Sequence, residues 1–572
     1  MTAALLWAAA LLPGLIAYNL PPSPTLFNQA AAIGLWGLVM VALAPACTGG
    51  MRTAAGRSVA LQVALALVAA AALLSSALGV LPWTISTPAA GLLLITMGLV
   101  LCGAALQPGP ALFTAYFGAW VAAGVCNSAI AVVQVFAPSL ADGDWIARSG
   151  WPGRAIGNMR QPNHLATLLL WSAVAVVPLI ELGALGRTRV RRIAAAALMA
   201  LAILGVTLSG SRTGLIGIAV LALWGALDTR LSRFSRGLLL AAPLFCALSW
   251  GFAAGWASLH STQAIGAAAR IGEGAVSAGR FAVWSDTVAL IQSHPWLGVG
   301  FGEFNFAWSL TPLPRQSVEF FDHTHNLPLQ LAVELGVPLT ALVLGLLAFA
   351  LWQAWRRTLE VSDKTGAALR AAFVMVLLMA LHSQLEYPLW YAHFLLPTAL
   401  VWGLCLGAGD PDAPLAIGGA AAAPRWPLMF GLAMVIAAAG LLADYRRVVL
   451  IFSPPAAAQP LEERIAAGQR SWFFAHHADY AAATTADPAA DALAAFKRAP
   501  HHLLDTRLMM AWAQALAQSG DVDRARHLAA RLREFRNPNS DEFFAPCASA
   551  ALEPRPFQCE PPARLYDWRD FR

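Results

Sequence analysis

Charge is what this 572-residue chain has least of: 12% of its residues are Asp, Glu, Lys or Arg, while 58% are hydrophobic. That is about half the roughly 25% charged share of soluble domains, and a single soluble domain is excluded. The deficit is uneven. Residues 1–443 carry 21 basic and 15 acidic side chains, whereas residues 444–572 carry 16 of each. The first part is therefore lipid-like, and the tail has the charge density of an ordinary globular domain. No Walker A, G-x-G-x-x-G, H-E-x-x-H or paired C-x-x-C motif occurs, which argues against nucleotide hydrolysis and zinc chemistry. The energy for any reaction must come from the substrate. A leader with a charged start, a short apolar core and a small-residue cleavage site is also missing, so the first apolar run is expected to be a retained span.

What is abundant is long apolar runs. Stretches able to cross roughly 30 Å of hydrocarbon fall at about 2–18, 28–46, 57–79, 88–106, 109–136, 164–182, 193–209, 212–227, 237–258, 326–350, 369–385, 392–408 and 427–443. The fold class expected is all-α: a polytopic membrane protein with about 13 transmembrane helices over 1–443, and a helical domain over 444–572. The net charge of +6 does not point to nucleic acid, because most basic residues of the first part sit in short gaps between spans. Taking the N-terminus as cytoplasmic puts 14 of these inside, including Arg187, Arg189, Arg191 and Arg192. Seven fall outside: Arg148, Arg154, Arg160, Arg212, Arg270, Arg280 and Arg315. Positive charge favours the cytoplasmic side, so the N-terminus is read as inside and, with an odd number of spans, the tail as outside.

Two outward loops, 137–163 and 259–325, are too long for simple turns and are expected to carry function. Within the second, apolar periodicity over 281–291 predicts an amphipathic helix at the membrane surface, ended by His294-Pro295 and a turn at Gly298, Gly300 and Gly302. Asp322-His323-Thr324-His325-Asn326 follows at the mouth of a span whose first turn holds Pro328. A spacing of two places His323 and His325 on opposite sides of an extended chain, an arrangement unsuited to one shared metal. Arg160-Gln161-Pro162-Asn163-His164, Arg212 in Ser209-Gly-Ser-Arg-Thr-Gly214, and Arg280 fall on the same side. An Arg at the membrane edge is costly and tends to mark function, and its guanidinium fork matches phosphate oxygens. Snorkelling to headgroups is the bland alternative. The outward turn 382–391 adds Glu386 and Tyr387. Glu334 and Glu386 are each able to pair with an Arg, polarise a His, or simply be satisfied within helix packing. Asp142-Gly-Asp144, formally a metal-type D-x-D, reads better as a turn.

In the tail, 461–536 reads as helices broken near Asp487-Pro488, Pro500 and Ser519-Gly520. Leu508, Trp512, Leu516, Ala525, Leu528 and Leu532 lie at helical spacing. The stretch 505–535 is similar to one tetratricopeptide repeat. Cys547 and Cys559 are a candidate disulfide, expected in an oxidising compartment to contribute on the order of 3 kcal/mol.

Taken together, HTHNLPLQLAVELGVP (323–338), with Arg280, Trp284 and His294-Pro-Trp-Leu-Gly-Val-Gly upstream, resembles the shared core of bacterial O-antigen ligases, O-antigen polymerases and protein O-oligosaccharyltransferases. GNMRQPNHLAT (157–167), LEYPLWYAHF (385–394) and the helical tail are similar to the pilin-type protein O-oligosaccharyltransferase branch. The resemblance covers roughly 150–540. It implies a GT-C-like glycosyltransferase of the inner membrane, with an undecaprenyl-diphosphate-linked glycan as donor and a Ser or Thr of an exported, pilin-like protein as acceptor.

By the same resemblance His325 is the general base and His323 its support, while Arg212, Arg280 and Arg160 hold the diphosphate. Gln161, Asn163, His164, Asn326, Glu386 and Tyr387 are expected to support or face the acceptor. No cofactor is expected beyond the lipid-linked substrate and surrounding lipid; metal is unnecessary if Arg stabilises the leaving group, and direct displacement inverts the anomeric carbon. Two other readings stand beside it: the same chemistry on a lipid A core or growing glycan, and a transporter of the lipid-linked glycan, although no pseudo-repeated halves are present.

Overall fold

The computed structural model describes residues 1–47, 50–260, 264–266, 268, 276–313, 321–409, 424–548 and 553–572, leaving aside the side chains of 276–279. Arg270 and Arg315 lie outside the described residues. Among those described, regular structure is entirely helical, with one isolated bridge between Cys47 and Leu106. Among the described residues, ten helices are long and apolar enough to cross a membrane. Three shorter apolar helices, Thr2–Leu15, Arg212–Leu227 and Ala392–Gly407, fall on the remaining expected spans. The chain is an all-α, multi-pass membrane protein. Helices satisfy every backbone polar group internally, which a hydrocarbon environment requires.

Two helices form the centre. Pro162–Glu181 is almost wholly buried, and Lys364–His382 is nearly so. The Trp171 indole donates to the Met375 carbonyl at 3.0 Å and ties them together. Elsewhere small residues let helices touch: a Cβ on Gly103 would stand 2.2 Å from the Leu400 carbonyl, and one on Gly403 equally close to that of Val100. Trp83–Ala105 and Ala392–Gly407 thus meet backbone to backbone, as membrane helices with small residues at their interface do.

The span expected at 326–350 is two pieces. Leu327–Leu335 is a short separate helix, and the crossing helix runs Val337–Glu360. Gly336 separates them at φ 78°, packed where a Cβ would stand 2.3 Å from the Trp296 carbonyl. Only glycine accommodates both demands, and Pro338 denies the next turn an amide donor.

The tail does not stand alone. Arg425–Phe452 carries the last membrane helix past residue 443 before the tail helices begin. One apolar core then joins Val283, Leu290, Phe304, Phe306 and Trp308 of the second long loop to Phe496, Leu508, Trp512, Leu528 and Phe535 of the tail. Polar ties reinforce it. Asn305 accepts from the Leu504 amide at 2.7 Å, His527 donates to the Leu310 carbonyl at 2.8 Å, and His501 meets the buried Glu303 carboxylate at 2.8 Å. The periodicity predicted for the tail is observed as the hairpin of Thr506–Gln518 and Val522–Phe535, with all six named apolar residues buried. Short 3-10 turns over 489–501, in place of a further helix pair, precede it.

Cys547 and Cys559 form a disulfide. Their separation of 12 residues closes a short loop, so replacing both by serine is expected to cost about 3 kcal/mol. Thermal melts with and without reductant check this: reductant should lower the midpoint of the wild type and leave the double serine variant unchanged.

Candidate active site

Glu386 is the centre of the site. It follows the end of Lys364–His382, its amide bonded to the His382 carbonyl at 2.9 Å, and its carboxylate is buried. Three donors reach that carboxylate from three parts of the chain: Asn163 Nδ2 at 2.9 Å and Arg280 Nη2 on Oε1, and His325 Nδ1 at 2.8 Å on Oε2. Burial pushes the carboxyl up, but the His325 hydrogen bond and the nearby His325 and Arg280 charges outweigh it and hold the group at about 2.

His325 is placed by an unusual backbone. Its φ is 54°, a region costly for a residue with a Cβ and persistent only where surroundings enforce it. Those surroundings are specific. The Trp284 indole donates to the Thr324 carbonyl at 2.9 Å, the Thr324 amide donates to Gln330 Oε1 at 2.8 Å, and Thr324 Oγ1 donates to the Asn326 carbonyl at 2.8 Å. Asn326 caps Leu327–Leu335 through the Leu329 amide at 3.0 Å and donates to the Gln384 carbonyl at 3.0 Å, latching this turn to the one bearing Glu386.

The turn at His325 overturns the expectation that His323 and His325 face opposite ways, which assumed an extended chain. Their ring centroids lie 4.1 Å apart, with His323 Nε2 at 3.2 Å from His325 Nδ1. His323 Nδ1 pairs with Asp322, and burial lowers the His323 pKa and favours the neutral ring. One arrangement of protons suits every contact: His323 Nδ1–H points to Asp322, and His325 Nδ1–H is shared between Glu386 and His323 Nε2. The His325 Nε2 lone pair is then free. That atom reaches solvent and has no partner among the described residues. An imidazole held by a carboxylate at one nitrogen and open at the other is suited to general-base work.

Of the other residues singled out in the sequence, Asn163 is a bridge. Its Oδ1 accepts from Ser211 Oγ at 2.6 Å, and Ser211 caps Arg212–Leu227 through the Gly214 amide at 3.0 Å. Arg212 therefore stands at the helix start beside this network, exposed and with no partner among the described residues. Gln161 caps Pro162–Glu181 through the His164 amide at 3.0 Å. Tyr387 packs on the His323 ring at 3.5 Å between centroids, and burial raises its pKa. His164 lies one layer deeper, buried against Tyr391. Arg160, at φ 58°, turns away and donates to the Ala17 carbonyl at 2.9 Å. Glu334 meets neither Arg nor His; it accepts from Gln330 at 2.7 Å. Asp142 accepts from the amides of 144, 145 and 146, a turn. Asp322, Ser211 and Gln330 were not singled out; Asp322 alone had a signal, its adjacency to His323.

Among the described residues, two groups place potential metal ligands within 4.8 Å of one another: His323, His325 and Glu386, and in the tail His476, His477 and His502. In the first, His325 Nδ1, both His323 nitrogens and both Glu386 oxygens already have hydrogen-bond partners, and His325 Nε2 alone stays open.

The segments that build this site are similar to those of known families. The O-antigen ligase family profile matches residues 197–344, the C-terminal profile of virulence factor membrane-bound polymerases matches 370–544, and the protein glycosylation ligase profile matches 155–178. Over these stretches the chain is similar to the O-antigen ligase family and its relatives. Residues 155–178 and one relative extend the similarity to protein O-oligosaccharyltransferases. That relative is the general O-oligosaccharyltransferase of Acinetobacter baylyi, 30% identical over 273 residues, which cover 45% of this chain and 44% of the relative. The matched region thus spans under half of that protein.

Proposed function

We propose that this protein is an inner-membrane glycosyltransferase that moves an oligosaccharide en bloc from a polyprenyl diphosphate, such as undecaprenyl diphosphate, to a Ser or Thr hydroxyl of an exported protein such as a pilin. The observation that carries this is the pairing of His325 with Glu386 beside Arg280, with Nε2 left open. The acceptor oxygen attacks the anomeric carbon as its proton passes to His325 Nε2. The bond to the diphosphate oxygen breaks with its electron pair, inverting that carbon. Charge on the departing diphosphate grows through the transition state, where Arg212 and Arg280 act without a metal or other cofactor. The charge bias of the loops favours a cytoplasmic N-terminus and a periplasmic site.

Arg212→Ala is expected to weaken donor binding roughly ten- to hundredfold, the worth of one charged hydrogen bond of about 1.5–3 kcal/mol. Arg280→Ala should do so too and also lower turnover, because it leaves Glu386 with one donor fewer. Unchanged donor binding in both variants contradicts the assignment. Co-expression with a pilin and a lipid-linked glycan, followed by mass spectrometry, tests the acceptor. The polymerase profile over 370–544 favours a second reading, a glycan acceptor; an unmodified pilin beside modified lipid A would establish that instead.

A further inference from the structure

His476 and His477 open the Ala475–Thr485 helix, and His502 follows the turn Ala499–His501. Their rings converge, with centroids 4.3, 4.0 and 5.0 Å apart. No hydrogen bond reaches any of the six ring nitrogens among the described residues, and Nδ1 of His476 is fully buried without a partner. A buried polar atom left unmet costs about 1–3 kcal/mol, so His476 Nδ1 calls for a partner, and three imidazoles whose ligand atoms lie within 4.8 Å of one another mark a position for something that takes a lone pair from each. The frame around them is built independently of any such group. Asp479 accepts from Arg498 Nε at 2.8 Å and Gln469 Nε2 at 2.9 Å, and Tyr480 donates to Asp505 at 2.8 Å. These bonds bracket the turn bearing His502 against the helix bearing the other two.

We propose that His476, His477 and His502 bind one divalent transition-metal ion of the zinc class, through three neutral imidazoles with a fourth position open to water. Imidazole nitrogens suit such borderline ions, and three histidines with one open position is an established zinc geometry. No short spacing motif marks the set, because the fold brings residue 502 back to 476. The site is separate from the transfer centre, although Asp322 lies near enough for its charge to be felt at His502. The ion would fasten the Ala475–Thr485 helix to the following turn at the junction with the transfer centre.

The test uses untagged full-length protein in detergent, stripped with chelator and titrated with ZnCl2 and, separately, CoCl2. One equivalent of zinc should bind, raising the melting midpoint, and cobalt should give the visible absorption of a tetrahedral nitrogen site. His502 is exposed, so His502→Gln should keep the metal-free midpoint while binding zinc at least about tenfold more weakly, since even outer-shell losses cost that much. A His477→Gln, His502→Gln double variant should lose the ion, and His325→Ala should bind as the wild type does. Absence of a one-to-one event tighter than about 0.1 mM, equal binding in the wild type and both tail variants, or loss of the ion in His325→Ala would overturn the proposal.

Discussion

His325→Ala is expected to slow glycan transfer by about 10²–10⁴-fold, the usual contribution of a positioned general base, while the lipid-linked donor still binds. A hydroxyl is a poor nucleophile until its proton has somewhere to go, and His325 Nε2 is the open acceptor on a ring otherwise held by Glu386. Single-turnover transfer and donor binding, measured on the same detergent preparation, separate the two effects. If the variant transfers at the wild-type rate, His325 is not the base. If it still moves lipid across a vesicle while the wild type transfers no glycan, the protein is a transporter.

Glu386→Gln should be nearly as damaging, although it changes almost no volume. All three partners of the carboxylate are donors. An amide brings its own donors to that position, so one partner must be left unmet or the His325 ring must change tautomer. An amide N–H facing His325 Nδ1 draws out the lone pair there and leaves the proton on Nε2, where the acceptor needs a base. The equivalent exchange in a serine-protease triad costs about 10⁴, and a loss of that order in turnover, with a smaller change in donor KM, is expected here. The acid behaviour supplies a second readout. The Glu386 carboxyl titrates near 2 in the folded protein, below the roughly 4.3 of an unfolded chain. Its stabilisation is therefore complete above about pH 4.3 and fades as pH falls toward 2. Melts between pH 2 and 5 should show that the Gln variant has lost this part of the acid dependence. Near neutral pH the carboxylate stays ionised, so its titration does not set the activity profile there.

Legibility in the sequence divided along a physical line. Every apolar run became helical where expected, with 326–350 divided at Gly336 and its crossing helix carried on to Glu360, because roughly 20 apolar residues crossing hydrocarbon have almost no other structure open to them. The tail hairpin was equally local, its burial written in the spacing of Leu508, Trp512, Leu516 and their partners. The common side of Arg212, Arg280 and the two histidines followed from counting spans.

Relations between side chains were a different matter. Glu334 and Glu386 looked alike in the sequence, yet one is met by Gln330 and the Gly302 and Phe304 amides while the other gathers Asn163, Arg280 and His325. Arg160 and Arg212 looked alike too, and one holds the Ala17 carbonyl while the other stands open. The orientation of the two histidines was misjudged because the left-handed turn at His325 is imposed by contacts at Thr324 from Trp284 and Gln330, not by local preference.

The sequence by itself determined the membrane architecture, the helical tail and the side on which the unusual polar residues gather, since hydrophobic length and periodicity act within one segment. Only the tertiary structure decided which carboxylate orients which imidazole, which arginine is free, and that the tail shares a core with the second long loop. Those outcomes depend on hydrogen bonds and burial between segments as much as 273 residues apart, and no local preference encodes them.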